Sequence, residues 1–205
     1  MPNRRAQLIE QLILHTGELA RAGLTPATSS NFSARLDAER CVITVSGRDK
    51  GRLTPEDFMD VGMDGTPVEA GRVSSAETLL HTQIYRLRPE AGAVLHTHSL
   101  AQTLMSMRHE REGHIEFAGY ELLKALRGIT THDTRVRVPV VPNSQDMPAL
   151  CAAIEPAFAA DAFWGYLIAG HGLYAWGRDL AEARRHLDAF EFLLTAEMAK
   201  LRFPA

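Results

Sequence analysis

Two hydrophobic periods alternate along the chain, and this limits its fold more than any other feature. Cys41-Val42-Ile43-Thr44-Val45, Ala91 to Leu95, Val136 to Val141, Tyr166 to Ala169 and Leu173 to Trp176 are short apolar runs that read as strands. Between them lie segments whose apolar residues recur every three or four positions. Leu8, Ile9, Leu12, Ile13 and Leu19 form one helical stripe, with Asn3 as its cap and Gly23 as its stop. Ser75 to Leu87, Ser99 to Met107, Tyr120 to Leu126, Asp146 to Phe158 and Asp179 to about Lys200 read as further helices. Thr54-Pro55-Glu56-Asp57 is a helix start and predicts a short helix through Phe58 and Met59 to about Asp60. Met63-Asp64-Gly65-Thr66 contains an Asp-Gly turn, and Pro139 within its Val-rich run predicts a strand at a sheet edge. Helices at both ends and strands linked by hairpins in the middle predict an α/β protein, a mixed sheet with helices on its faces.

The 205 residues suit one domain, and neither a linker nor a repeat divides them, so a single domain over 1–205 is expected. With 22 Lys+Arg against 25 Asp+Glu, the net charge of -3 argues against a nucleic-acid or membrane-surface partner. A small anion is not excluded, because local field and net charge are separate matters. Cys41 and Cys151 are the only cysteines, so neither a disulfide framework nor a cysteine-built zinc site is available. The longest apolar run, Ala162 to Gly170, falls far short of the ~20 residues that span a bilayer. No apolar leader core follows Met-Pro-Asn-Arg-Arg, which predicts a cytoplasmic protein with reduced thiols.

Among the nine histidines, His96 and His98 follow an apolar strand two residues apart. Strand side chains alternate, so both rings point to one face and can share a metal ion. The same spacing also fits two surface histidines on an edge strand. His171, between Gly170 and Gly172 at a strand–strand turn, can supply a third imidazole. Three such ligands leave coordination positions open for substrate. The other six (His15, His81, His109, His114, His132, His186) read as solvated or capping residues.

Glu77 opens a helix, where an acid also simply suits the dipole. Glu121 stands three residues before Lys124, which fits a surface ion pair equally well. Three turns rich in hydroxyl or amide groups, Thr28 to Ser33, Ser46 to Gly51 and Ser74-Ser75, could be turns alone. Together they could supply N–H groups, hydroxyls and one ammonium to a phosphate.

Ser-Asn-Phe-Ser at 30–33, Ser-Gly-Arg-Asp-Lys-Gly at 46–51, Ser-Ser-Ala-Glu at 74–77, His-Thr-His-Ser at 96–99 and Gly-His-Gly at 170–172 resemble the class II aldolase superfamily in order and spacing. Ser-Ala-Glu-Thr-Leu-Leu-His at 75–81, Gly-Tyr-Glu-Leu-Leu-Lys at 119–124 and the segment 170–179 look most like its bacterial dehydratase branch, which removes water from a small phosphorylated ketose. The resemblance implies a central, mainly antiparallel sheet flanked by helices. It implies one zinc ion per subunit on His96, His98 and His171, and a homotetramer or stacked tetramers with sites near subunit interfaces. It gives the acid/base role to Glu77 in the aldolase branch and to Glu121 in the dehydratase branch. Asn31, Ser46, Gly47, Lys50, Ser74 and Ser75 are then the candidates near phosphate or substrate. The rival expectations are a sugar-phosphate aldolase, a pentulose-phosphate 4-epimerase, and a non-catalytic scaffold module of the kind that lacks the metal histidines.

Overall fold

The computed structural model describes residues 3–159 and 164–202. Helix α1 (Arg4–Arg21) starts where the Asn3 side chain accepts from the Ala6 N–H at 2.9 Å. It buries Ile9, Leu12 and Leu19, the stripe expected from their spacing, and Gly23 ends it with φ +78. Strands β1 (Asn31–Arg35), β2 (Arg40–Thr44) and β3 (Phe58–Gly62) follow, then α2 (Thr78–Leu87), β4 (Ala93–Thr97) and α3 (Leu100–Arg108). The remainder is β5 (His114–Ala118), β6 (Arg135–Val141), α4 (Met147–Ile154), β7 (Gly165–Ile168), β8 (Gly172–Gly177) and α5 (Leu180–Lys200). The caps of α3, α4 and α5 are Ser99, Asp146 and Asp179, each accepting a backbone N–H three residues on.

The strands form one eight-stranded sheet in the order β3-β2-β1-β4-β8-β7-β6-β5. Every neighbouring pair is antiparallel except β6–β7, so the sheet is mixed but mainly antiparallel. Helices cover both faces. Residues of α1, α3 and α5 pack with Phe32, Ala34, Leu95, Leu173 and Ala175. Residues of α2 and α4 pack with Ile43, Val94, Tyr166, Tyr174 and Trp176. Burial on both sides explains why β4 and β8 are buried at every residue and show no alternation with polar positions. Among the described residues, no helix is long and apolar enough to cross a membrane.

Three local expectations are corrected. Thr54–Asp57 does make a reciprocal cap, but over a three-residue 3-10 turn, Pro55–Asp57. Phe58, Met59 and Asp60 then extend as β3, because pairing with Thr44, Ile43 and Val42 of β2 supplies hydrogen bonds that a one-turn helix cannot. Pro139 is not at the sheet edge: β6 lies between β5 and β7. It ends the β5 ladder opposite His114, and Val140 and Val141 then pair with β7, so the missing N–H falls where partners change. β1 was hidden in Asn-Phe-Ser-Ala-Arg, whose polar residues resemble a turn.

Gly172 sets the approach of β8 to β4. A Cβ there would lie 2.2 Å from the Thr97 carbonyl oxygen and 3.0 Å from Cε1 of His96. Gly172→Ala is expected to cost about 1–3 kcal/mol through overpacking, seen as a lower melting temperature in thermal denaturation.

Candidate active site

Antiparallel pairing of β4 with β8 sets His96 opposite Tyr174. The Tyr174 ring stacks on the His96 ring with centroids 4.0 Å apart. The β7–β8 turn carries His171 back over the end of β4, with Gly170 at φ +65 and the His171 N–H bonded to the Ile168 carbonyl at 3.0 Å. Helix α3 holds this junction. The Ser106 hydroxyl accepts from the Gly170 N–H at 3.0 Å, and Gln102 bonds the Thr97 hydroxyl at 3.0 Å and the Leu173 N–H at 3.2 Å.

His96, His98 and His171 thus come together, with one ligand atom of each within 4.8 Å of the others. His96 Nδ1 donates to the Leu173 carbonyl at 3.0 Å, which leaves its Nε2 lone pair facing His98 Nε2 at 2.8 Å. Two ring nitrogens at that distance need a proton or a cation between them. His171 Nδ1 is buried and has no hydrogen-bond partner among the described residues. Burial pushes His96 well below its ordinary pKa and His98 down to about 4, with the neighbouring His171 lowering both and Glu77 opposing. Three convergent imidazoles fit a metal ion and leave positions for substrate; the donor set suits zinc and also iron, cobalt or nickel.

Glu77 stands beside them at the start of α2. Its Oε1 is 3.2 Å from His171 Nε2 and its Oε2 is 3.7 Å from His96 Nε2. Oε2 also accepts from the Asn31 amide and, at 3.3 Å, from the Tyr174 hydroxyl. Burial alone would raise this carboxyl, but the hydrogen bonds from His171 and the Asn31 amide hold it well below the usual carboxylate range.

A cavity of about 150 Å³ opens next to Glu77 and His98. The three turns expected from the sequence meet there: Ser29, Ser30 and Asn31 from one, Ser46 and Gly47 from the second, Ser75 from the third. Ala27, Thr28 and Ser30 hold left-handed φ values of 52, 60 and 76. Such backbone costs on the order of 1–3 kcal/mol per residue and clusters at ligand sites. The Ser29 hydroxyl is buried and has no hydrogen-bond partner among the described residues.

Other sequence candidates lie apart from the cavity. Lys50 is buried and its Nζ donates to the Thr28 carbonyl at 3.2 Å and the Arg48 carbonyl at 2.8 Å, tying two of the turns together. The Ser74 hydroxyl reaches the Gly65 carbonyl at 3.5 Å, at the limit of a hydrogen bond. Glu121 is exposed in the 3-10 turn Glu121–Ala125, paired with Lys124 and 3.5 Å from His132 Nδ1. It does not line the cavity; it borders a surface hollow with Tyr120, Leu122 and Phe192.

His81 and His186 are neither solvated nor capping, the two roles their sequence setting suggests, but buried within α2 and α5. His186 Nδ1 donates to the Trp176 carbonyl at 2.7 Å. His81 lies behind the site, with Nδ1 2.7 Å from the Ser33 hydroxyl and Nε2 on the Asn31 carbonyl oxygen. Burial lowers its pKa to about 3 against the opposing Glu77 charge, so the ring is neutral. Tyr174 was also missed, although it follows His171 by three residues on a buried strand.

The family described as "Class II Aldolase and Adducin N-terminal domain" matches residues 10–198, and the chain belongs to that family. A protein of Xanthomonas campestris pv. campestris (strain 8004) named methylthioribulose-1-phosphate dehydratase is 59% identical over 203 residues, which cover 98% of this chain and 94% of that protein. L-fuculose-1-phosphate aldolase from Thermus thermophilus superposes with a TM-score of 0.75 at 25% identity, over 97% of each chain. YgbL from Escherichia coli superposes with a TM-score of 0.81 at 23% identity, over 97% of this chain and 91% of its own, a likeness of fold.

Two outcomes are expected. His98→Ala should lose bound metal on elemental analysis; full retention would remove His98 from the ligand set. In the metal-free protein, His81 and His98 are held below the unfolded value of about 6.5. The unfolded chain therefore binds more protons below that pH. Stability should be full above it and fall as pH drops toward the folded values, by up to about 1.4 kcal/mol per pH unit for each such ring. Denaturant titrations at a series of pH values would show the slope, and a flat profile would contradict it.

Proposed function

We propose that the chain is a hydro-lyase that converts 5-methylthioribulose 1-phosphate to 2,3-diketo-5-methylthiopentyl 1-phosphate, a step of methionine salvage. The observation that carries this reading is the three-imidazole cluster with Glu77 beside a hydroxyl-lined cavity, in a chain 59% identical to a named dehydratase. The phosphate takes the cavity: the Ser29, Ser46 and Ser75 hydroxyls, the Asn31 amide and the backbone at Gly47 receive it. Lys50 acts one step back, fixing the Thr28 and Arg48 carbonyls and adding positive charge beneath the turns. His96, His98 and His171 would hold one zinc ion per subunit, which when bound supplies a Lewis acid for the substrate ketone.

Dehydration needs a base for the proton on the carbon next to the ketone and an acid for the departing C4 hydroxyl. Glu121 takes both roles, removing the C3 proton and returning it to the hydroxyl that leaves as water; the resulting enol becomes the diketone. In its own chain Glu121 faces a separate surface hollow, so it serves the site of a neighbouring subunit. The exposed Leu122 and Phe192 beside it suit such a contact, within a homotetramer or a stack of tetramers. Glu77, ionised and held by Asn31 and Tyr174, keeps the imidazoles and the reacting carbons in register and can accept a proton. The two unpaired cysteines suit a reducing, cytoplasmic setting.

Purified metal-loaded protein given 5-methylthioribulose 1-phosphate should yield a product lighter by one water in mass spectrometry. Two carbon fragments would instead indicate an aldolase, and an unchanged mass with altered stereochemistry an epimerase. Glu121→Gln should keep its metal and lose about 10²–10⁴-fold in rate; undiminished activity would remove Glu121 from the reaction.

A further inference from the structure

Ser33, His81 and Tyr85 are buried between β1 and α2, and none of them lines the cavity. They form one unbroken chain of hydrogen bonds that reaches the site. The Tyr85 hydroxyl is 2.8 Å from the Ser33 hydroxyl, which is 2.7 Å from His81 Nδ1. His81 Nε2 meets the Asn31 carbonyl oxygen, and the Asn31 amide nitrogen meets Glu77 Oε2.

The direction of every bond in this chain follows from its last member. The Asn31 amide nitrogen, not its oxygen, faces Glu77 Oε2, and an amide NH₂ can only donate there. The Asn31 carbonyl then faces His81, and it too only accepts, so the single proton of the neutral ring sits on Nε2. Nδ1 is left as the acceptor for the Ser33 hydroxyl, and Ser33 oxygen in turn accepts from Tyr85. Only this arrangement satisfies all five groups.

We propose that His81 is a positioning residue of this site: by donating its Nε2 proton to Asn31, it dictates which end of that amide faces Glu77 and the cavity. The inference rests on the dehydratase reading above. An asparagine amide has nearly the same shape in both orientations but exchanges donor for acceptor when it flips. With His81 in place, Asn31 offers one N–H to Glu77 and keeps a second for the anionic ligand in the cavity. Flipped, its carbonyl would oppose both the carboxylate and the phosphate. Ser33 and Tyr85 act by holding the His81 tautomer.

The test compares metal-loaded wild type, His81→Leu and His81→Gln, with metal content and folding measured alongside kcat and KM for the ketose phosphate. Leu fills the space without polar groups, whereas the Gln amide restores a donor toward Asn31. His81→Leu should hold its metal, lose about 10–100-fold in kcat, the usual cost of removing a group that orients site ligands, and raise KM, because the released Asn31 amide no longer offers its N–H to the phosphate. His81→Gln should recover most of that loss. A folded, metal-loaded His81→Leu with wild-type kcat overturns the inference, and so does a His81→Gln no better than His81→Leu. Nitrogen NMR of histidine-labelled wild-type protein gives a readout independent of activity and of any folding defect in the variants. A His81 ring protonated at Nε2 and bare at Nδ1 across the neutral pH range is expected; the opposite tautomer overturns the inference. Wild type unable to dehydrate the substrate would sink the proposed function, and the tautomer would then decide the inference by itself.

Discussion

The ladder between β4 and β8 is the contact on which the rest of the molecule depends. It joins the β3-β2-β1 half of the sheet to the β7-β6-β5 half. The same register sets His96 against Tyr174 and brings the His171 turn over the end of β4. Gly172 permits that approach because its missing Cβ leaves room for the Thr97 carbonyl. Gln102 and Ser106 of α3 then hold the strand ends from one side of the sheet while α2 delivers Glu77 from the other. Core packing and site geometry therefore share their contacts, so damage to one reaches the other.

The electrostatics of the site run against the acidity of the whole chain. Burial keeps His96, His98 and His81 neutral, which leaves ring nitrogens free to act as ligands or hydrogen-bond acceptors. The one carboxylate among them is stabilised by directed donors from Asn31 and Tyr174. Behind the cavity, Lys50 directs its hydrogen bonds to the Thr28 and Arg48 carbonyls and so ties two of the turns together. A net charge of -3 thus says nothing about this pocket, because partial charges a few ångströms away outweigh distant surface acids.

Legibility followed the range of the interaction. Caps are local, so Asn3, Ser99 and Asp179 could be read directly, as could the helical stripe of α1. His96 and His98 were legible because strand periodicity alone puts them on one side. Phe58 to Asp60 were misread because a helix start and a strand edge compete there, and the winner depends on β2, which local propensity does not contain. The sequence setting of His81 suggests a solvated or capping residue, because one polar residue on an apolar helix carries no mark of the partners it will meet.

The sequence by itself determined the alternation of strands and helices, the caps, the supply of imidazole and carboxylate, and, through its motifs, the family. Tertiary structure alone decided which groups meet. It placed the Thr28–Asn31, Ser46–Gly47 and Ser75 turns around one cavity, turned Lys50 into a strut, kept Glu121 outside that cavity, and recruited Ser33, His81 and Tyr85 behind Asn31. The division has a physical cause. Periodicity and capping act within a few residues, whereas ligand convergence, burial and hydrogen-bond direction arise between segments that only the closed sheet brings together.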